Sequence, residues 1–487
     1  MLTQTKPTTW RDQLTKLGRA MVGSVGDWTP RLPKFTSLRP SMSWIGPLAM
    51  LASTLVGWFA FSGAQGEHGS SVAFGLFIGS VSIVLMAWSF VLAVRIRLLE
   101  PLFGGLDRMY KAHRWAGTAA VVAMFLHTQV DAEIEGGIRG ASRALANSAE
   151  DLASVAQYLL YALVGISLLR VIPYRWWRQT HKLLGIPFLF ASAHFFTAQK
   201  PYANSSGWGR YFAVVMIAGA LAWIWRVVGR DGIARGSRYR VLSQQVSGST
   251  TELTLAPQDR RIEFRPGQFA SVKIAARTMA EPHMFSIASS PDDDQLVFHI
   301  RALGDWSDRL LHTDVVGETV WVEGPYGRFR PLPDNDSAGI VWVAGGVGIT
   351  PFLSAVASLK PGDIRPLLIY CVRNPDDAVG IDQLEHAAAQ GLIRLELFVS
   401  SHRGRLDSEV LAGMVGGSLE GTHVAVCGPQ GLIDTVESTA HTMGAASIAT
   451  EDFDIRSGVG PEVSREFAQL VDAVGSPRRP YTPGHDE

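Results

Sequence analysis

Cysteine is almost absent. Cys371 and Cys427 are the only two in 487 residues, and they form no CxxC pair. That argues against a disulfide framework, a structural zinc site or a built-in iron–sulfur cluster, each of which needs more thiols. Net charge is absent too: 44 Lys and Arg balance 44 Asp and Glu, which gives no reason to expect nucleic acid as a partner. No D-x-D-x-D-G calcium loop occurs; Asp292-Asp-Asp294 lacks the glycine and the ligand spacing and reads as a hairpin tip. Residues 1–43 are polar and basic without a compact apolar core and cleavage site, so no signal peptide is expected.

What the chain has in quantity is apolar sequence, nearly all of it in the first half. Uncharged runs occupy Pro40–Gly66, Gly69–Val94, Trp115–Val130, Leu152–Leu169, Leu183–Gln199 and Tyr211–Trp225. A helix crossing a hydrocarbon core of about 30 Å needs ~20 residues, so the first two span easily and the others are near or below that length. Six spans are expected. Arg95, Arg97, Arg108, Lys111 and Arg114 follow the second, Arg170, Arg175, Arg178 and Lys182 the fourth, and Arg226, Arg230, Arg235 and Arg238 the sixth. The opposite loop carries Asp131, Glu133, Glu135, Glu150 and Asp151 against Arg139 and Arg143. The positive-inside rule then puts both termini in the cytoplasm of a multi-pass inner (plasma) membrane protein, with lipid as its surroundings.

Four histidines stand in or two residues before these runs as two pairs: His113 and His127, 14 residues apart, and His181 and His194, 13 apart. At about 1.5 Å per residue each pair is separated by roughly 20 Å along a helix. Two such helices side by side would hold two haems, one near each membrane face, each ligated by two histidines. Ionisable residues in a membrane segment are costly and point to function. The blander reading is histidines that hydrogen-bond across the bundle. Against it, the first member of each pair opens a matching phrase, His113-Arg-Trp-Ala-Gly117 and His181-Lys-Leu-Leu-Gly185. Gly117 and Gly185 fall on the histidine's helical face, where a flat macrocycle would approach, and Arg114 and Lys182 are placed to pair with its propionates. Fourteen residues return to within about 40° of the starting face, but thirteen miss by about 140°. Pro187 lies between His181 and His194 and is a candidate for distorting that helix.

After Arg230 the pattern changes to short alternating strands, as in Tyr239–Val246, Thr251–Leu255 and Ala270–Ile274. These predict a small antiparallel β-barrel up to about residue 335. From Gly339 it becomes strand, turn, helix, repeated: Ile340–Ala344, Leu367–Val372, Arg394–Val399 and Val424–Val426, a parallel α/β domain. In its first turn, Ile340-Val-Trp-Val-Ala344 leads into Gly345, Gly346 and Gly348, then Thr350 as helix cap and Pro351 at the first helical position. Glycines there let the backbone approach a pyrophosphate, which the helix N-terminus stabilises. A glycine-rich turn alone is often merely a turn; the flanking strand and helix strengthen the nucleotide reading.

With these features in place, the chain resembles the NADPH oxidase and ferric reductase family. His283-Met-Phe-Ser-Ile-Ala-Ser-Ser-Pro291 and His299-Ile-Arg-Ala-Leu-Gly-Asp-Trp306 are similar to its flavin motifs. Gly345–Pro351, Cys427-Gly-Pro429 and Glu451-Asp-Phe453 are similar to its nicotinamide-binding half, and with the paired histidines the resemblance covers roughly residues 44–456. It implies an all-α six-helix transmembrane bundle (44–230), a flavin barrel (231–335) and an NADPH-binding α/β domain (336–456), flanked by segments 1–43 and 457–487. It implies FAD, NADPH and two b-type haems as cofactors. His283, Phe285 and Ser286 would line the flavin, Ser286 hydrogen-bonding near N5, with Met284 where the family usually has proline. Arg301 would pair with the flavin diphosphate, and Gly304, Asp305, Trp306 and Ser307 would offer it backbone N–H groups. Cys427, with Gly428 and Pro429, would sit near the nicotinamide, and Phe453 would stack on the flavin. Arg373 and Arg405 match positions used for the adenosine 2′-phosphate, where a guanidinium fits well.

The implied activity is transfer of electrons from cytoplasmic NADPH through FAD and the two haems to an outer acceptor. Flavin is needed because it turns a two-electron donor into single electrons. Oxygen, giving superoxide, is the expected acceptor and a ferric chelate the alternative. No cation stands beside the outer pair as oxidases of this family have; four residues past His127 is Asp131. A membrane-anchored flavin reductase, whose bundle serves only as anchor or partner site, is the alternative of another class. A transporter or channel using the histidines for protons would need them at mid-bilayer, whereas these four lie near the faces.

Overall fold

The computed structural model describes residues 42–62, 69–130, 134, 137–169, 172, 174–233, 236–276, 279–333 and 337–451. Phe453 and the acidic Asp131, Glu133 and Glu135 lie outside the described residues.

Each of the six apolar runs contains helix. The helices are α1 (Ile45–Ser62), α2 (Ser70–Ala93), α3 (Leu106–His127), α4 (Arg143–Leu168), α5 (Tyr174–Lys182), α6 (Gly185–Thr197) and α7 (Gly207–Ile224). Four stretches are long and apolar enough to cross a membrane: Ile45–Ser62, Ser70–Ala93, Arg143–Leu168 and Gly207–Gly229. The fourth continues α7 into a π-helical turn, Trp225–Ile233. The other two fall short of the six-span expectation for different reasons. α3 opens on Asp107, Arg108, Lys111 and Arg114, and α6 has only 13 residues, about 20 Å of rise.

Burial is arranged for lipid rather than water. Phe59, Val214 and Leu221 are more than 60% exposed on the outside of the helices, while Phe61, Val84, Phe188 and Phe212 close the interior. Ser82 Oγ donates to Ala120 O at 2.8 Å, a buried polar tie between α2 and α3.

The 13-residue misfit has a structural answer. His181 and His194 do not share one helix: α5 ends at Lys182, and Leu183 and Leu184 form a turn before α6 starts at Gly185. Leu183, Leu184 and Ile186 N–H groups all donate three residues back, the tighter 3₁₀ spacing. Pro187 sits in the first turn of α6, where its missing N–H costs no helical bond. The break, rather than a bend at Pro187, resets the helical phase between the two imidazoles.

The second half of the chain starts with β1 (Ser237–Ser247), β2 (Thr250–Pro257), β3 (Phe269–Ile274), β4 (His283–Ser286), β5 (Leu296–Arg301) and β6 (Thr319–Tyr326). They pair antiparallel in the order β4-β3-β6-β1-β2-β5. The result is a curled sheet, not the closed barrel expected. β4 has only four residues, and beyond it the edges approach where Ala288 N–H donates to Val297 O at 2.8 Å. Tyr239, Leu253, Val272, Phe298 and Val320 fill the inside, and α8 (Asp305–His312) adds Trp306 and Leu310.

The domain that follows is a parallel sheet: β7 (Gly339–Gly345), β8 (Leu367–Val372), β9 (Arg394–Val399), β10 (Thr422–Cys427) and β11 (Ser447–Glu451), in the order β9-β8-β7-β10-β11. Ile340, Trp342 and Ala344 pack on one face, Val341 and Val343 on the other, as a sheet covered on both sides requires. The strand order reverses between β7 and β10, so the crevice for a ligand lies at their carboxyl ends, Gly345 and Cys427.

Candidate functional site

The inner histidines come together. The rings of His113 on α3 and His181 on α5 have centroids 6.0 Å apart at 66°. With metal–imidazole bonds of about 2 Å, two rings on opposite sides of one iron would have centres roughly 6 Å apart. The protonation pattern agrees. Ser89 O lies 2.8 Å from His113 Nδ1, and a carbonyl only accepts, so that nitrogen carries the proton. Gly75 O does the same for His127 Nδ1 at 2.8 Å. Ser167 Oγ donates to Leu163 O at 2.7 Å and accepts from His181 Nδ1 at 3.0 Å. Three of the four imidazoles therefore keep Nε2 free of hydrogen, the form a metal ligand needs, and are held by the kind of outer partner that orients ligands. His194 differs: its buried Nδ1 has no partner among the described residues. It lies within electrostatic reach of His127, Glu150 and Lys200. No cluster of three or more metal-ligating side chains occurs among the described residues, which a pair of histidines does not require.

Of the two glycines expected to admit a macrocycle, Gly117 leaves room: a Cβ there would approach only Ser89 Oγ, at 3.8 Å. Gly185 does not. A Cβ would stand 2.0 Å from the Trp223 indole, whose Nε1 donates to Lys182 O, so this glycine exists for helix packing. The glycine that matters at the outer pair is Gly79 on α2, where a Cβ would meet the His127 ring at 2.9 Å. Trp177, one turn before His181, stacks on its ring at 4.9 Å and 15°.

At the outer end a cation appears that the sequence did not suggest. Lys200 is 2% exposed; its Nζ donates to Phe195 O and Ala198 O and lies 5.1 Å over the Phe195 ring. It thus caps the carboxyl end of α6, the helix carrying His194. Burial lowers its pKa to about 8. Gln199 and Lys200 pair with Ile138 and Arg139, which lays the loop after α3 over this end.

In the flavin sheet, β4 turns His283 and Phe285 to the same side, where both meet Trp306 with ring centroids at 4.5 and 5.6 Å. Trp306 is buried and donates Nε1–H to Met279 O. Met284 points the other way, onto residues of the membrane half. Ser286 Oγ is buried without a partner among the described residues, a hydroxyl available to a ligand. The His283 imidazole lies 3.7 Å from the Glu281 carboxylate, which it holds below the usual carboxylate range. Around Gly304 two of the expected N–H groups are already used: Gly304 N–H donates to Ser307 Oγ and Trp306 N–H to Asp305 Oδ1.

The nucleotide turn is compact. Gly346 has φ 54°, and a Cβ on Gly348 would lie 2.4 Å from Cys427 O. Gly345 packs against Gly428 and Pro429, so the Gly345–Gly348 and Cys427–Pro429 turns meet as one surface. Thr350 is not the cap expected: it is already helical, and its hydroxyl donates back to Val347 O at 3.0 Å, with Pro351 following in the first turn. Arg301 reaches this turn. Its Nη1 is 3.3 Å from where a Cβ on Gly346 would stand, so its guanidinium faces the nucleotide loop from the flavin sheet. A cleft of about 590 Å³ opens beside it between the two domains, lined by Glu252, His299, Val347 and Asp377 among others, but not by His283, Ser286 or Cys427. His299, lowered to about 4 by burial, is neutral near pH 7, so its 3.7 Å approach to Glu252 is no ion pair there.

Arg373 and Arg405 are both exposed, Arg373 directly after β8 and Arg405 beyond the helical turn Ser400–Arg403 that follows β9, and Ser401 N–H donates to Arg373 O at 3.1 Å. Glu451 went unassigned in the sequence although its motif was noticed. It pairs with Cys427 in register, is 4% exposed, and burial holds its carboxyl well above the usual range.

Comparison with known proteins defines the class. Residues 78–192 match the ferric reductase like transmembrane component, 239–330 an FAD-binding domain and 342–438 the oxidoreductase NAD-binding domain. The chain is a membrane protein with the FAD- and NAD-binding domains of an oxidoreductase. More particularly, a ferric reductase like transmembrane component is fused to FAD- and NAD-binding domains, the arrangement that the resemblance in the sequence implied, and NADPH oxidase homologues are among the matching proteins. Among similar proteins, the carnitine monooxygenase reductase subunit of Escherichia coli is 32% identical over 40% of this chain and 61% of its own length. Respiratory burst oxidase homolog protein E of Arabidopsis thaliana is 29% identical over 37% of this chain and 21% of its own length. Dual oxidase 2 of Rattus norvegicus is 31% identical over 20% and 7%. The chain spans about three fifths of the length of the first bacterial electron-transfer components it matches. Among solved structures, phthalate dioxygenase reductase is 21% identical, with a TM-score of 0.39, over 46% of this chain and 68% of its own.

Proposed function

We propose that the chain carries electrons from cytoplasmic NADPH across the inner (plasma) membrane through FAD and two b-type haems to oxygen, giving superoxide. The observation that carries this reading is the inner pair: two imidazoles 6.0 Å apart on separate helices, each with Nδ1–H tied and Nε2 free. Bound there, haem supplies one-electron steps, and flavin converts the two-electron donor into single electrons.

This chain's own residues do the holding. His113 and His181 hold the inner group, His127 and His194 the outer one. Ser89, Ser167 and Gly75 O fix the tautomer of three of them. His283, Phe285 and Ser286 line the flavin, with the Ser286 hydroxyl free to donate near N5. Gly345, Gly346 and Gly348 bring backbone close to the nucleotide diphosphate, and Arg301, whose guanidinium reaches Gly346, pairs with the flavin diphosphate. Cys427 stands at the carboxyl end of β10 beside the nicotinamide position, and Arg373 and Arg405 take the 2′-phosphate. Both termini face the cytoplasm, because the basic loops flank the flavin side.

Lys200 favours oxygen as acceptor. A buried cation within electrostatic reach of His194 stabilises negative charge arriving at the outer end. A ferric chelate is the alternative. The absorption spectrum of the purified protein tests the architecture: b-type bands at about two haems per FAD are expected. A flavin spectrum with no haem would make the membrane helices an anchor for a flavin reductase.

A further inference from the structure

Gly327, just past the end of β6, is where the three parts of the chain meet. Its N–H donates to Oε1 of Glu100 at 2.8 Å, across 227 positions of sequence. A Cβ on Gly327 would stand 3.5 Å from Oε1 of Glu451. Glu100 belongs to the segment between α2 and α3, Gly327 to the flavin domain, and Glu451 to the last strand of the nucleotide domain. Glu100 is 8% exposed, so its bond with Gly327 is made out of water.

Other contacts surround this bond. Arg97 Nη2 donates to Gly324 O, and its guanidinium lies 5.8 Å over the Tyr326 ring. Leu92, Phe103, Leu106 and Met109 of the membrane half pack on Phe269, Tyr326 and Met284 of the flavin sheet. Met284 lies on the opposite side of β4 from His283 and Phe285. The strand that presents those two side chains is thus seated directly on the segment leading to His113.

We propose that Glu100 is a positioning residue for electron transfer: by accepting the Gly327 N–H it fixes β6, and β4 with it, at a set distance from the His113–His181 pair. The proposal rests on the electron-transfer reading above. Its physical basis is that a buried N–H deprived of its acceptor must find another partner, which here means moving the Gly324–Arg328 segment. Misplacement of about 1 Å can cost up to a hundredfold in a rate that depends on geometry. A role in the fold alone would lower every activity together, whereas positioning affects the transfer between domains and spares the chemistry within the cytoplasmic half.

The test uses the full chain in detergent with three variants, Glu100→Ala, Glu100→Gln and Arg97→Ala. Hydrogen exchange over residues 324–328 reads the bond itself, and anaerobic rapid mixing with NADPH reads flavin bleaching and haem reduction separately. In Glu100→Ala we expect faster exchange at Gly327, flavin bleaching within about twofold of the parent, and haem reduction slower by about tenfold or more. Glu100→Gln should behave like the parent in all three, because its amide oxygen accepts the same N–H. Arg97→Ala removes an exposed side chain, so it should fold even if Glu100→Ala does not, and it should slow haem reduction in the same direction. The proposal is overturned if Glu100→Ala leaves exchange or haem reduction unchanged, or slows flavin bleaching in parallel. It is also overturned if Glu100→Gln is as slow as Glu100→Ala, or if Arg97→Ala reduces haem at the parental rate. A parent protein without haem bands would instead remove the electron-transfer reading, while the exchange measurements would still report on the bond.

Discussion

The hydroxyl of Ser167 passes a hydrogen bond to Leu163 O and takes one from His181 Nδ1, so its orientation decides which imidazole nitrogen is bare. Ser167→Ala removes that acceptor inside an apolar helix bundle. Losses of about 10- to 100-fold in affinity follow when such outer partners of a metal-binding histidine are deleted. The expected outcome is selective loss of the inner haem with the outer one retained, measured as haem per FAD and by the bands that remain. Equal retention of both groups would show that His181 is not a ligand.

The outer pair has its own selective lesion at Gly79. The missing Cβ there leaves 2.9 Å to the His127 ring, closer than a real Cβ tolerates. Gly79→Ala should push the imidazole away from Gly75 O and lower outer-haem content, while NADPH still bleaches the flavin and reduces the inner haem. The same spectra that read Ser167→Ala read this variant, with the two losses exchanged.

Nucleotide preference tests the exposed arginines. If Arg373 and Arg405 take the 2′-phosphate, replacing both with alanine should raise KM for NADPH far more than for NADH. A charge-assisted bond contributes up to about 3 kcal/mol. Steady-state flavin reduction with each nucleotide decides it, and equal rises in KM would assign these residues to another purpose.

Stability against pH follows from the buried carboxyls at the domain junction. Burial raises Glu100 and Glu451, with Arg328 opposing the shift at Glu100 and Asp107 adding to it at both. In the unfolded chain these groups ionise at their ordinary value of about 4.3. Their contribution to stability is therefore complete below that pH and is lost as pH rises through the higher folded values, where ionising them places like charges together out of water. The melting temperature should fall with rising pH over this range, and Glu451→Gln should flatten the fall. An unchanged slope in that variant would place the effect elsewhere.

How much of this could be read from the chain depended on whether the signal was local. The His113 and His181 phrases, the glycine turn and the strand patterns were legible because spacing and residue type encode them within a few positions. The length of β4 was not, so a small barrel was expected where the strands form a curled half-barrel. Gly185 and Thr350 misled because each has an ordinary use that only the folded chain reveals, packing against the distant Trp223 for the first and a bond back to the preceding 3₁₀ turn for the second. Ser89, Ser167 and Gly79 act on histidines that lie 14 to 48 positions away, and no periodicity links them. Lys200 directly follows an apolar run, and nothing in its neighbours' residue types signals that its side chain is buried.

That lysine decides the last prediction, the acceptor. Lys200→Met keeps the length of the side chain and removes the charge beside His194. Its burial means that it acts on the charge arriving at the outer end and does not touch a bulky chelate in solution. Superoxide production in air should therefore fall in the variant, with NADPH bleaching of the flavin and inner-haem reduction unchanged. Because a buried charge is screened little, the difference between variant and parent should persist at high salt. Any preference imposed by exposed loop acids should fade as the screening length shrinks to about 10 Å at 0.1 M. The parent's rate should also decline as pH rises through about 8, where Lys200 loses its proton, and Lys200→Met should not show that decline. The measurement pairs superoxide detection in air with anaerobic reduction of ferric chelates of different charge. Fast chelate reduction with negligible superoxide, unaffected by Lys200→Met, would make the chain a ferric reductase and leave Lys200 as a cap on α6.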